Sequence, residues 1–220
     1  MIEPKQIIRS NRKTIALVVN TNGELIVRAP HITSTMEINS FVAEKQGWIS
    51  KKMKSVATFD EKYSSITMST GDVVPFAGED YIVELCETQE VVFDGKVIKL
   101  PISEQSKDVL IEYLKKQALF IISDRVERYS KLMGVQATSI KITDAKHRWG
   151  SCSQNNSLNF AWRLVMCPIS VIDYVVVHEL SHIDYKNHSK QFWVRVRTVL
   201  PMYELEQNWL KNNRKIIEII

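Results

Sequence analysis

The stretch His178-Glu179-Leu180-Ser181-His182, with His188 six residues further on, constrains this chain more than any other. On a helix, residues four apart share a face, so His178 and His182 can aim their imidazoles at one point. Glu179 lies about 100° round the helix from His178. That sets its carboxylate beside a metal-bound water and off the metal itself. Three neutral imidazoles leave a zinc ion one open position, and zinc lowers the pKa of its bound water to about 7. Glu179 is then the base that takes the proton from that water and passes it to a leaving group. The plain alternative is a helix whose histidines hold no metal. Three of the chain's five histidines fall within these eleven residues, which favours the ligand set.

The surrounding pattern gives the motif a setting. Tyr174-Val175-Val176-Val177 runs into His178 and is apolar throughout. By propensity the valines favour a strand. The i, i+4 histidines and an apparent capping box, Ser170-x-x-Asp173, override that and predict a buried helix from about Ser170 to Tyr185. After a turn at Lys186-Asn187, His188 enters the site. A helix then carries Phe192, Trp193 and Val196 inward, Pro201 breaks it, and another runs from Tyr203 to about Asn213. The apolar tail 216–220 is expected to add a strand or to pack on a neighbour.

Upstream, an amphipathic helix is expected from about Glu104 to Leu132, with Val109, Leu110, Tyr113, Leu114, Leu119, Phe120, Ile122 and Val126 mostly on one side and Gly134 ending it. Ser139–Thr143 alternates as a half-buried strand, and Leu158–Trp162 reads as another. The first half is different. A hairpin is predicted over 6–29, turning at Asn20-Thr21-Asn22-Gly23. One helix follows over 36–58, capped by Ser34 or Thr35 with Glu37 in its first turn. Several strands occupy 66–103, punctuated by Gly71, Gly78 and Gly95, and are expected to form an antiparallel sheet shared with the first hairpin. The fold class is therefore α+β: a β-rich region over 1–103 with one helix, and a helical metal-site domain with a small sheet over 104–220.

Charge narrows the partners. Residues 1–103 carry 12 Lys and Arg against 13 Asp and Glu, and residues 104–220 carry 17 against 12. The basic excess of the second half permits an anionic partner without marking a nucleic-acid binder, so a nucleic-acid partner stays open. Three cysteines without a C-x-x-C pair argue against a disulfide framework or a cysteine zinc site. The chain starts without an apolar leader and has no apolar run of about 20 residues. A cytoplasmic protein with no membrane span is expected. Nothing marks an oligomeric state.

Three further stretches carry a resemblance: Arg148-Trp149-Gly150-Ser151-Cys152-Ser153, Asn159-Phe160-Ala161-Trp162-Arg163-Leu164, and Val175–His182 continuing through His188-Ser189-Lys190-Gln191-Phe192-Trp193. With these the chain resembles the bacterial YgjP-like metallopeptidase family, closely over about 104–200 and more loosely before. The resemblance implies a minimal gluzincin-like zinc core, with ligands at His178, His182 and His188 and a catalytic glutamate at Glu179. Metzincins also space a third histidine this way, but with a glycine where this chain has Tyr185. A sharp left-handed turn at a tyrosine is disfavoured, so the turn is expected elsewhere, Asn187 being the better candidate.

Substrate-binding residues are expected at Arg148, Trp149 and Arg163. The strand Ser139–Thr143, or the segment after it, can offer an edge to an extended peptide, with Arg148 holding a carboxylate or phosphate. The competing reading packs Trp149 in the core, makes Gly150 a bulge and has Arg148 brace a neighbour. Cys152 reads as a packing residue. Asp184 and Glu204 are candidates to orient a ligand imidazole, with surface charge as the simpler account. The function these residues point to is a zinc metallopeptidase acting on a peptide or protein. Two alternatives stand beside it: a metal-dependent nucleoside triphosphate pyrophosphatase, an activity also attached to the YgjP-like family, and a non-catalytic zinc-containing binding module. His147 and the tyrosines are candidates for the oxyanion donor, and the sequence does not identify which.

Overall fold

The computed structural model describes residues 2–63 and 66–220. The chain is a mixed α+β protein, and it divides into two compact units, 1–64 and 65–220. The expected division at 103/104 coincides with the passage from sheet to helix inside the second unit.

The first unit holds a three-stranded sheet of β1 (Gln6–Ser10), β2 (Ala16–Val19) and β3 (Leu25–Pro30), in the order β1-β3-β2. The β2–β3 hairpin turns at Asn20–Gly23 as expected, with the Asn20 side chain accepting from the Asn22 and Glu24 amides. β1 pairs with β3 in parallel. The one helix expected over 36–58 is two, α1 (Thr35–Glu44) and α2 (Gln46–Tyr63). Lys45 leaves helical geometry between them, two residues before Gly47, a poor helix former in the first turn of α2. Ser34 caps α1, its hydroxyl accepting from the Glu37 amide while Glu37 reaches back to the Ser34 amide. Leu25, Val27, Ala29, Ile38, Val42 and Ile49 form the core of this unit.

The second unit begins with the sheet β4 (Val73–Phe76), β5 (Glu79–Cys86), β6 (Val92–Asp94) and β7 (Val97–Pro101), in the order β4-β5-β7-β6. Two expectations change here. The sheet is separate from the β1–β3 sheet, and β5–β7 is parallel, so it is mixed. Its β4–β5 turn docks on the segment 165–168. The Ala77 amide donates to the Val165 carbonyl at 2.7 Å. Gly78, at φ +87°, lies so close to Pro168 that a Cβ would meet its Cα at 2.8 Å. Contacts between residues so far apart in sequence leave no local mark.

α3 (Ser106–Met133) ends at Gly134, which takes the left-handed conformation. Its residues Leu110, Leu114, Ala118, Ile122 and Val126 recur every four positions and are buried, whereas Leu119 and Phe120, expected on the same side, are exposed because they lie round the helix from that four-residue row. A third sheet comes next, β8 (Ser139–Thr143), β9 (Gly150–Cys152) and β10 (Ser157–Ala161), in the order β8-β10-β9. A short 3-10 turn, Trp162–Met166, leads into α4 (Ile169–Asp184). α4 packs against α3, β9, α5 (Lys190–Val199) and α6 (Tyr203–Asn212). Burial on nearly every side is what overrides the strand preference of Val175-Val176-Val177. The tail forms a 3-10 turn at Arg214–Glu218, not a strand, and buries Ile216 and Ile217.

Ser170 and Asp173 do not cap α4. Pro168 is the N-cap residue, its carbonyl accepting from Val171 and Ile172, with no side-chain cap. Asp173 instead faces Arg125 of α3 at 3.5 Å. Burial raises its pKa while Arg125 opposes the rise.

Candidate metal centre

α4 delivers His178 and His182 one turn apart with Glu179 directly after the first, and His188 arrives from the connection to α5. One ligand nitrogen from each histidine lies within 4.8 Å of the others. The Nε2 atoms of His178 and His188 are 3.0 Å apart. The connection turns without any left-handed residue: Tyr185 is extended at φ −133°, and Asn187 does not have positive φ. The expected left-handed turn at Asn187 is therefore absent. Instead the Asn187 side chain accepts from the Ser189 amide, and Ser189 caps α5.

The donor set suits a divalent metal on its chemistry. Metals take the neutral imidazole, through the nitrogen left free by the ring's other hydrogen bond. His182 Nδ1 is 2.9 Å from the Tyr185 carbonyl. A carbonyl only accepts, so Nδ1 carries the proton and Nε2 keeps its lone pair. Burial pushes the pKa of His178 down to about 3, with His182 and His188 adding to the shift. It also lowers that of His182. Both shifts favour the neutral ring. His178 Nδ1 is buried with no hydrogen-bond partner among the described residues.

Glu179 is 6% exposed and packs against β9. Burial pushes its pKa up to about 8, and the positive charge of Arg148 opposes the rise. The contact with β9 is close. A Cβ built on Gly150 would lie 2.7 Å from Glu179 Cγ and Oε1.

β9 is an edge strand, and its exposed side can be read from its pairing. Trp149 accepts from the Ala161 amide and Ser153 donates to the Ser157 carbonyl, and Ser151 lies opposite Asn159. In an antiparallel pair such bonded positions alternate with positions whose main-chain groups face away. The N–H and C=O of Gly150 and Cys152 therefore point to the open edge, while Glu179 lies over the face of the strand at Gly150. The strand near the histidines is β9, and β8 lies across β10 on the opposite side of the sheet.

The expected substrate contacts separate. Arg148 is exposed and Trp149 half-buried at the start of β9. Arg163 is 3% exposed. Its Nη1 donates to Asp144 at 2.5 Å and its Nη2 to the Ile220 carbonyl at 3.0 Å, and its guanidinium lies over the Trp162 ring. That side chain is committed within the protein and does not join the histidines. Asp184 pairs with Arg195, and Glu204 with Arg197, so neither holds an imidazole. Cys152 is half-buried, 3.7 Å from Lys186 Nζ. That ammonium also donates to the Ser153 carbonyl and the Asn156 side chain, tying the loop between His182 and His188 to the β9–β10 turn. Spacing gave no signal for this tether. The other residue that sequence reasoning passed over as simple core is Phe192, whose ring touches all three imidazoles.

No curated protein matches the chain significantly. Two solved structures are similar to part of it. The metallopeptidase zymogen of Pyrococcus abyssi abylysin covers 42% of this chain and 95% of its own, at 19% identity and a TM-score of 0.39. The metallopeptidase zymogen of Methanocaldococcus jannaschii jannalysin covers 43% and 96%, at 24% identity and a TM-score of 0.38. The family match is far more extensive, taking in residues 13–213 and with them most of both units, the edge strand and all three histidines. The chain belongs to the YgjP-like, metallopeptidase domain family.

Proposed function

We propose that this protein is a zinc-dependent peptidase that cleaves an extended peptide lying along β9. The observation that carries this reading is the position of Glu179, whose buried carboxylate packs against Gly150 of an open strand edge and follows the first histidine of the cluster directly. Base, metal ligands and a peptide-pairing edge are neighbours in the fold.

Zinc held by His178, His182 and His188 supplies Lewis acidity to a water and to the scissile carbonyl. The remaining work belongs to the chain. The Tyr185 carbonyl holds His182 with Nε2 free. The main-chain groups of Gly150 and Cys152 pair with the substrate backbone, which excludes sequence-specific contacts from the basic binding energy and fits an unfolded segment. Glu179 accepts the proton of the attacking water on a carboxylate oxygen and returns it to the departing amine nitrogen. A carboxylate whose affinity for protons is raised by burial suits that transfer near neutral pH. Arg148 keeps part of the carboxylate character and, with Trp149, flanks the substrate. Arg163 belongs to the framework. The triphosphate alternative drew on the basic second half with Arg148 and Arg163, and Arg163 is committed to Asp144, which removes one of those cations from it.

The test is metal-loaded protein, without an affinity His-tag, incubated with an unstructured protein such as casein and separately with nucleoside triphosphates. Peptide cleavage that is lost in Glu179→Gln, with no triphosphate hydrolysis, is the expected result. Triphosphate turnover alone would replace the peptidase reading with the pyrophosphatase. Zinc without turnover of either would leave a binding module.

A further inference from the structure

The three imidazole rings form a nearly equilateral triangle, with centroids 5.0, 5.0 and 4.7 Å apart. The Phe192 ring lies 4.9 Å from His178, 4.5 Å from His182 and 4.8 Å from His188. Four rings thus stand at the corners of an almost regular tetrahedron, with Phe192 at the apex. Phe192 is fully buried and His188 is exposed. Phe192 therefore backs the cluster from the interior, with His188 on its solvent side.

We propose that Phe192 is a positioning residue of the metal site: its ring sets the spacing and tilt of all three imidazoles and closes their inner side to water. This rests on the three-histidine metal reading above. The contacts differ in kind, edge-on to His178 and His188 and tilted at 32° over His182, so one rigid ring fixes three orientations at once. Its own place is fixed locally. Ser189 caps α5 by accepting from the Phe192 amide, which sets Phe192 in the first turn, shortly after His188. Trp193 packs edge-on against Phe192 and holds it from the side. A leucine would fill part of the volume, but it has neither the flat faces nor the breadth to touch three rings. The imidazoles would then reach ligand geometry only after rearranging, which weakens metal affinity. A hydrophobic backing also governs solvent access to such a site.

The test compares zinc affinity, by competition with a chromophoric chelator, for wild type, Phe192→Leu and Leu114→Ala, all as the full chain without a His-tag. Leu114 is fully buried in α3, apart from the histidine cluster in sequence and element, so it reports the effect of core damage alone. Phe192→Leu is expected to weaken zinc binding roughly 10-fold to 100-fold. Leu114→Ala should lower the melting temperature yet leave the zinc Kd within about twofold, as expected for an independent site. Phe192→Met is the second variant if leucine prevents folding, because methionine fills irregular gaps. It too should weaken binding. Cobalt(II) absorption spectra add a readout of ligand geometry that core damage would not move, and they should change in the Phe192 variants alone. Wild-type affinity in a folded Phe192 variant would overturn the proposal and leave the metal site standing. Equal losses in Leu114→Ala would overturn it as well. A wild type that binds no zinc would overturn the metal reading itself, and this inference with it.

Discussion

Gly150 supplies the space that the Glu179 side chain occupies. A Cβ there would stand 2.7 Å from both Cγ and Oε1 of Glu179 and 2.9 Å from its Cδ. Gly150 does not have positive φ, so its backbone suits any residue. The requirement is room alone. Gly150→Ala should therefore fold, keep its metal and push the carboxylate aside. A displacement of about 1 Å at a reacting group costs on the order of 100-fold in rate. Measured turnover and zinc content together check this: a loss of that order with one metal per chain retained is expected. Full activity would mean that Glu179 can move without consequence.

Glu179→Gln removes the proton acceptor and keeps nearly the same volume. Zinc content should be unchanged, and kcat should fall by roughly 10²-fold to 10⁴-fold. Near wild-type turnover would rule out the proton-transfer role.

The histidines should link metal to stability. A ligand that binds the folded state stabilises it by about 2.7 kcal/mol at 100 times its Kd. Added zinc should raise the melting temperature of wild type after chelator treatment. In His178→Ala and His182→Ala that rise should disappear. A variant that still shows it would hold metal through other groups.

Asp144 gives a stability prediction with a sign. The hydrogen bond from Arg163, and after it the one from Trp162 at 2.7 Å, hold the Asp144 pKa below the usual carboxylate value. A depressed pKa in the folded state stabilises above the unfolded value, about 3.9, and that contribution fades as pH falls through the folded value. Asp144→Ala leaves two donors of the Trp162–Arg163 pair without their acceptor and should destabilise by about 1–3 kcal/mol at neutral pH. In urea titrations the difference from wild type should stay constant above about pH 5 and shrink below about pH 4, where wild type loses the same contribution. A difference that grows with acidity would contradict the assignment.

Much of this protein was legible in the order of its residues because the signals were local. The spacing of His178, Glu179 and His182 sets their relative places on any helix. Ser34 with Glu37, Asn20–Gly23 and Gly134 marked ends and turns, since caps and turns are closed by neighbours a few residues away. The helical spacing of Leu110, Leu114, Ile122 and Val126 marked the buried side of α3, although Leu119 and Phe120, read with them, are exposed. Where local signals misled, a distant partner had intervened. Asp173 had the spacing of a cap but turned to Arg125. Arg163 had the charge of a substrate contact but lies buried against Asp144 and Ile220. Only the tertiary structure decided that β9 and not β8 lies beside Glu179, that Gly150 makes room for that carboxylate, and that Phe192 backs three imidazoles. Each depends on which elements pack together, and close packing between residues far apart in the chain has no period that a sequence can display.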